Sequence, residues 1–146
     1  MSSTESSTSV TAIVTRCRIV LGSLAFAPVV VAGVLAAVDL RAHIGPLALP
    51  AAIAGAVAPV VALRLFGWLR SRVPSTAPLE TRGELYMSAL LVAVGVTEAA
   101  AFAGVLIAEF TGEPFAMLGL ATHVVLVGVV WPNDERFAAF HGEHDS

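Results

Sequence analysis

The segment of residues 85–108, LYMSALLVAVGVTEAAAFAGVLIA, decides the fold class of this chain. It is 24 residues long and apolar almost throughout, and it carries one carboxylate, Glu98, near its middle. As an α-helix it would be about 36 Å long, at roughly 1.5 Å per residue, which is enough to cross a hydrocarbon core of about 30 Å with some tilt. A charged side chain at the bilayer centre costs on the order of 2.5–3.5 kcal/mol. Glu98 is therefore expected to face the protein interior and is the first candidate functional residue.

The composition indicates an integral membrane protein. Of the 146 residues, 57% are hydrophobic and 13% are charged, whereas a soluble domain carries roughly 25% charged residues. The net charge of −3 does not indicate a basic surface that would bind a nucleic acid. The single cysteine, Cys17, excludes an intramolecular disulfide and a metal site made only of cysteines. The sequence shows no nucleophile–base arrangement, phosphate loop or zinc motif, so we expect no enzyme activity, cofactor or metal.

Three further apolar segments predict the remaining helices. With residues 85–108 they give four transmembrane spans, at residues 19–38, 47–66, 85–108 and 115–131. The short connections within each pair predict two antiparallel transmembrane hairpins, and hence an all-α integral membrane four-helix bundle over residues 16–132. The first span could instead be a secretory signal peptide, but its apolar run is longer than the usual ~7–15 residues and begins later in the chain.

The flanking segments are polar. Residues 1–15 are rich in Ser and Thr and are expected to be disordered, because they bury too little surface to offset the entropy of ordering. Residues 133–146 form a polar, acidic tail. The spacing of His141 and His144 in this tail could bind a metal, but no third ligand lies nearby, so a solvated tail is the favoured interpretation.

Two prolines lie inside predicted spans. Pro28 is in the first span and Pro59 is in the second. A proline in a helix interior removes one backbone hydrogen bond and crowds the preceding turn. Each is therefore expected to kink its helix and to free a backbone carbonyl.

The distribution of arginines predicts the orientation. Arg41 lies in the connection between the first two spans, and the other seven arginines lie on the opposite side, which carries both termini and the long connection of residues 67–84. The seven are Arg16, Arg18, Arg64, Arg70, Arg72, Arg82 and Arg136. Because positive residues accumulate on the cytoplasmic side, both termini are expected to be cytoplasmic. The sequence thus predicts a multi-pass protein of the cell (inner) membrane, surrounded by lipid, with other membrane subunits or a second copy of itself as partners.

The third and fourth spans bring three polar side chains to a similar depth. Measured from the predicted turn at residues 111–112, Glu98 lies about 13 residues before it and His123 about 11 residues after it, a difference in depth of roughly 3 Å. Thr97 accompanies them. An unpaired polar group in hydrocarbon costs several kcal/mol, so a hydrogen-bonded Glu98–His123 pair is expected.

Two interpretations of this cluster remain open. In the first, Glu98, His123 and Thr97 form a proton- or cation-binding site. In the second, Glu98 is a neutral acid that bonds a carbonyl freed by Pro28 or Pro59 and serves only to hold the helices together. The sequence favours neither interpretation over the other.

The third span has two further patterns. Glu84 and Glu109 fall within about 40° of the Glu98 stripe; a proton path would place carboxylates there, but an interfacial position is the favoured explanation. Small residues four apart predict that neighbouring helices approach closely. These are Ala99 with Ala103, Ala100 with Gly104, and Gly119 on the fourth span.

The third span also resembles a known family. The motif E-A-x-x-x-x-G-V-L-I-A at residues 98–108 is similar to the carboxylate helix of the rotor-ring proteolipids, the c-type subunits of rotary ATP synthases. The residues before it also resemble that family's polar loop and second helix, through Pro78, Glu80, Arg82 and Met87. The resemblance is confined to the second helix, the loop and the third helix. It implies that Glu98 is an ion-carrying carboxylate, that Gly104 is a packing glycine and that the loop is cytoplasmic.

Two functions are therefore expected from the sequence. The leading one is a small membrane protein whose Glu98 reversibly binds a proton or cation, as a proteolipid-like protein or a subunit of a membrane transport complex. The alternative is a structural or accessory membrane subunit that transports nothing and docks partners through its small-residue faces.

Overall fold

A computed structural model describes residues 2–37, 47–74 and 76–140, with side chains described from Ser9 onward. Every regular element in these ranges is helical, which confirms the predicted all-α class. The connection between the first and second spans lies outside the described residues, and so do His141 and His144.

The described chain forms five α-helices and one short 3₁₀ helix. In chain order they are α1 (Ser2–Ala36), α2 (Ala48–Arg70), α3 (Leu79–Thr111), the 3₁₀ helix (Pro114–Met117), α4 (Leu118–Val130) and α5 (Asp134–Phe140). The helices continue past both interior prolines, Pro28 in α1 and Pro59 in α2. α3 ends at Gly112, whose φ of 72° is the left-handed conformation that a glycine adopts without strain.

Three helices are long and apolar enough to cross a membrane, as expected of a membrane protein. They are the Ser9–Ala36 part of α1, the whole of α2 and the whole of α3. The segment Pro114–Val130 becomes a fourth candidate when it is joined to α5, from which it is bent by 85°. Large apolar side chains are exposed along these helices, including Phe26 at 67% and Val125 at 66%. An apolar outer surface of this kind suits a lipid environment.

α1 is longer than the sequence predicts. It begins at Ser2, so residues 2–15 of the segment 1–15 that we expected to be disordered are helical. Val10, Ile13, Val14 and Cys17 recur at helical spacing and belong to the core that α1 shares with α3. This contact stabilises α1 before the apolar run begins at residue 19. From there the helix extends back through the polar residues to Ser2.

α3 lies at the centre of the bundle. It packs against α2, α4 and α1, and α4 also packs against α2 and α1, whereas α1 and α2 share no extensive contact over the described residues. α2 turns a row of small residues towards this centre: Ala48, Ala51, Gly55, Ala58 and Ala62 are all buried. Because these side chains are small, α2 can approach its neighbours closely.

The tail was predicted to be a polar segment, but its described part packs against the bundle. Residues 134–140 form α5, and Phe137 and Phe140 on it are only 2% and 3% exposed. Both rings contact Tyr86 of α3, with ring centroids 5.3 and 5.0 Å away. The Asn133 side chain accepts a hydrogen bond of 2.7 Å from the backbone N–H of Arg136, which caps the start of the helix.

The turn between α4 and α5 is held by arginines. Arg18 of α1 donates from Nε to the carbonyl of Pro132 at 2.9 Å. Arg136 donates from its guanidinium to the carbonyl of Trp131 at 2.8 Å, near the end of α4. The arginines counted for orientation therefore include residues that fasten this end of the bundle.

Candidate functional site

The candidate site lies midway along α3, where α1 and α4 pack against it. Thr97 of α3 and His123 of α4 are both 0% exposed. The Thr97 Oγ1 atom lies 2.9 Å from Nδ1 of His123 and 3.0 Å from the carbonyl oxygen of Val94. This hydrogen bond joins the two central helices at their middle.

The Thr97 hydroxyl has one hydrogen, which leaves two possible arrangements. If it is donated to the Val94 carbonyl, His123 donates from Nδ1 to Thr97 and its Nε2 carries a lone pair. If it is donated to Nδ1, Nε2 carries the hydrogen instead. In both arrangements Nε2 is buried and forms no hydrogen bond with any described residue.

Glu98 does not form the predicted pair with His123. It is half-buried, and among the residues that the structure describes it has no hydrogen bond or ion pair. The reason is geometric, since consecutive helical residues point about 100° apart and Thr97 is the one directed at α4. The structure thus pairs Thr97 with His123 and leaves Glu98 unpartnered.

Glu98 lies on the flank of α3 that faces α1. Eleven residues earlier, Met87 occupies the same helical stripe within about 20°. Met87 lines a cleft of about 320 Å³ together with Ile13 of α1 and Gly83 of α3. Glu98 continues this flank towards the middle of the bundle, where it is half-buried.

The other carboxylates of the stripe are remote from Glu98. Glu84 is exposed and Glu109 is half-buried. Along the helix axis they lie about 21 Å and about 16 Å from Glu98. These separations exclude a direct hydrogen-bonded chain of carboxylates and fit the interfacial interpretation of Glu84 and Glu109.

The structure divides the predicted small-residue pairs between two faces. Gly119 packs on the backbone of Ala100, where an added Cβ would lie 2.5 Å from the Ala100 carbonyl oxygen, and Gly104 packs on the carbonyl of Ala116. Ala99 and Ala103 are exposed on the opposite face of α3. Only the pair Ala100 and Gly104, with Gly119, contributes to packing inside this chain.

Sequence reasoning missed the close crossing of α2 and α4. Gly55 of α2 lies against the backbone of Gly119, and the Thr122 hydroxyl donates to the Gly55 carbonyl at 2.8 Å. The spacing of Ala51, Gly55 and Ala58 in α2 indicates such a close approach of helices. Because alanine is frequent throughout the second span, this spacing was not distinctive in the sequence.

A metal is not indicated by the described side chains. Within residues 2–37, 47–74 and 76–140, no three His, Cys, Asp or Glu side chains come together so as to hold a metal ion.

Comparison with known proteins gives no further identification. No family model, no curated protein and no solved structure matches this chain. Its function is therefore inferred from the geometry around Thr97, Glu98 and His123.

Proposed function

We propose that this chain is a multi-pass membrane protein whose Glu98 carboxyl takes up and releases a proton inside the membrane, as a subunit of a transport complex. The observation that carries the proposal is that Glu98 is half-buried in the middle of α3 with no partner among the described residues. A carboxyl with a purely structural role in an apolar site is expected to be hydrogen-bonded. One without a partner is available for proton exchange.

Glu98 suits a proton better than a metal cation. A hard cation in a protein takes about six to eight oxygen ligands, whereas Glu98 brings one carboxylate and has no second carboxylate near it on α3. A proton needs only one carboxylate oxygen. The partial exposure of Glu98 also leaves a route by which water or a partner subunit could reach it.

Thr97 and His123 serve this site by positioning it. Their buried hydrogen bond fixes which face of α3 is turned towards α4. Because Glu98 is the next residue in the helix, its direction is fixed by the same contact. The His123 Nε2 atom is a further buried position that could hold a proton.

Two sequence arguments support the proposal. Residues 98–108 resemble the carboxylate helix of the rotor-ring proteolipids, in which the carboxylate at the position of Glu98 carries the ion. The seven arginines gather at one end of the bundle, where Arg18, Arg70 and Arg136 surround the turn between α4 and α5 or lie beside it. By the positive-inside rule we assign this end, and both termini, to the cytoplasmic face of the cell membrane.

Labelling with a hydrophobic carbodiimide tests the proposal, because this reagent reacts with protonated carboxyls held in apolar sites. Full-length protein in lipid vesicles should be labelled at Glu98, with less labelling as the pH rises. Glu98→Gln should abolish the label, and the matched control Glu109→Gln should retain it. Absence of labelling at Glu98 at acidic, neutral and alkaline pH would overturn proton uptake at this residue.

A second function is favoured by the outer face of α3. Gly95, Ala99 and Ala103 recur every four residues on a face that none of the described residues covers: Ala99 and Ala103 are exposed and nothing lies within 4 Å of a Cβ added to Gly95. Another membrane helix could approach closely here, as expected of a structural or accessory subunit. Ala99→Cys in a Cys17→Ser background should then cross-link across this face in membranes, whereas Ala121→Cys on the exposed face of α4 should not.

A further inference from the structure

A second cavity lies at the end of the bundle where the arginines gather. It is a cleft of about 220 Å³ between the last turns of α2 and α4, the start of α3 and the docked α5. Its walls are apolar and include Phe66, Val129 and Phe140, and the guanidinium-bearing residues Arg70 and Arg136 line it as well. We name it the arginine cleft.

Among the residues that the structure describes, no acidic side chain lines the arginine cleft. Arg70 is exposed and has no hydrogen bond or ion pair within the described part of the chain. Arg136 uses one nitrogen on the carbonyls of Trp131 and Gly128 and keeps its other N–H donors. Asp134 and Glu135 of α5 are exposed, and neither lines the cleft.

A buried tyrosine borders the two arginines. Tyr86 also lines the arginine cleft, but its side chain is only 1% exposed and packs against Phe66, Phe137 and Phe140. The donors open to a ligand are therefore the guanidinium groups of Arg70 and Arg136, which can bind one anionic group together.

The apolar walls open onto the outer surface of the bundle. Leu63 of α2 is 45% exposed and Val129 of α4 is 51% exposed, so the cleft continues as a groove between these helices. A ligand that fills this shape is anionic at one end and apolar at the other. Two guanidinium groups recognise a phosphate well because each can donate two parallel hydrogen bonds.

We propose that the arginine cleft binds an anionic phospholipid. Arg70 and Arg136 hold the phosphate of the headgroup, and one acyl chain lies along Leu63, Phe66 and Val129. Basic pockets between membrane helices on the cytoplasmic side bind such headgroups. The bound lipid would bridge the end of α2 and α5, and would so hold α5 over Tyr86.

Lipid-dependent thermal unfolding of the full-length protein tests this site. Phosphatidylglycerol added to protein in a neutral detergent should raise the unfolding temperature, and phosphatidylcholine at the same concentration should not. Arg70→Gln should weaken the apparent affinity for phosphatidylglycerol by about fivefold, the effect of one arginine near an anionic lipid. The matched control Arg64→Gln removes an exposed arginine from the same helix outside the cleft and should leave the affinity unchanged.

Other outcomes would overturn the proposal. Equal stabilisation by both lipids would show that the headgroup is not recognised. An equal loss of affinity in Arg64→Gln would show that the lipid responds to general surface charge and not to the arginine cleft. Stabilisation by inorganic phosphate equal to that by phosphatidylglycerol would show binding of a free anion instead of a lipid. If Arg70→Gln fails to fold, Val129→Trp fills the groove without changing charge and should abolish the preference for phosphatidylglycerol; an unchanged preference would refute the acyl-chain position.

Discussion

Thr97 and His123, fully buried on adjacent helices, are joined by a hydrogen bond of 2.9 Å between Oγ1 and Nδ1. This contact lies midway along α3 and couples it to α4. Thr97 therefore contributes to the contact between α3 and α4, whereas its neighbour Glu98 does not.

The first prediction is that Thr97 and His123 are energetically coupled. In a double-mutant cycle of Thr97→Val and His123→Leu, each single change already removes the hydrogen bond between the two side chains, so the double variant should cost less than the sum. Polar pairs in membrane proteins couple by about 0.6 kcal/mol on average, with a maximum near 1.7 kcal/mol. The free energy of unfolding in a mixed-micelle denaturant measures the coupling.

The control cycle uses Glu98→Gln with His123→Leu. Because Glu98 makes no contact of this kind, these two changes should add within about 0.5 kcal/mol. Additivity for Thr97 with His123, or strong coupling for Glu98 with His123, would contradict the observed pairing.

The second prediction concerns the close packing of α4 against α3 and of α2 against α4. A Cβ at Gly119 would meet the backbone of Ala100, and one at Gly55 would meet the backbone of Gly119, so Gly119→Ala and Gly55→Ala should each destabilise the bundle by about 1–3 kcal/mol. Gly95→Ala is the matched control, because nothing lies within 4 Å of the added methyl. It should be neutral or stabilise α3 by up to about 1 kcal/mol. A neutral Gly119→Ala in thermal unfolding would show that the helices are further apart.

The third prediction is that α5 is held by its two phenylalanines. Phe137→Ala or Phe140→Ala should remove about 1.5–3 kcal/mol of burial energy, which is enough to release a helix of 7 residues. Limited proteolysis in the tail should then become fast, while the exposed control Phe115→Ala leaves it slow. Slow cleavage in both buried variants would mean that Arg18 and Arg136 alone hold the turn.

The fourth prediction concerns orientation. In a Cys17→Ser background, Glu113→Cys should react with a membrane-impermeant maleimide added to intact cells, and Ser71→Cys should react only after the membrane is opened. Both positions are exposed, at opposite ends of the bundle. Reaction of Ser71→Cys in intact cells would invert the topology proposed from the arginines.

The sequence predicted the helices well because each is long and apolar, and hydropathy over about 20 residues is a strong signal. It placed the polar residues at one depth, but it could not distinguish Thr97 from Glu98. A count from the turn fixes depth along the helix, whereas a shift of one residue rotates the side chain by about 100°. The pairing at His123 depends on that rotation, which also packs Gly119 against Ala100 and Gly104 against Ala116.

Two features of the fold could not be predicted from hydropathy. α5 is too short for a periodic signal, and its position depends on Tyr86, which lies 51 residues before Phe137 in the sequence. The helical start of α1 depends on contacts of Ile13 and Val14 with α3, while its composition alone indicated disorder. In both cases, contacts with other helices stabilise a segment whose local sequence does not predict a helix.

A pH titration of the Glu98 carboxyl by infrared difference spectroscopy tests the central claim most directly. In lipid vesicles, the band of one protonated carboxyl should be lost reversibly as the pH rises, should be absent from Glu98→Gln and should remain in Glu109→Gln. Reversible loss of this band is the result we predict for a residue that exchanges a proton within the membrane. Identical titrations of the wild type and Glu98→Gln would contradict it.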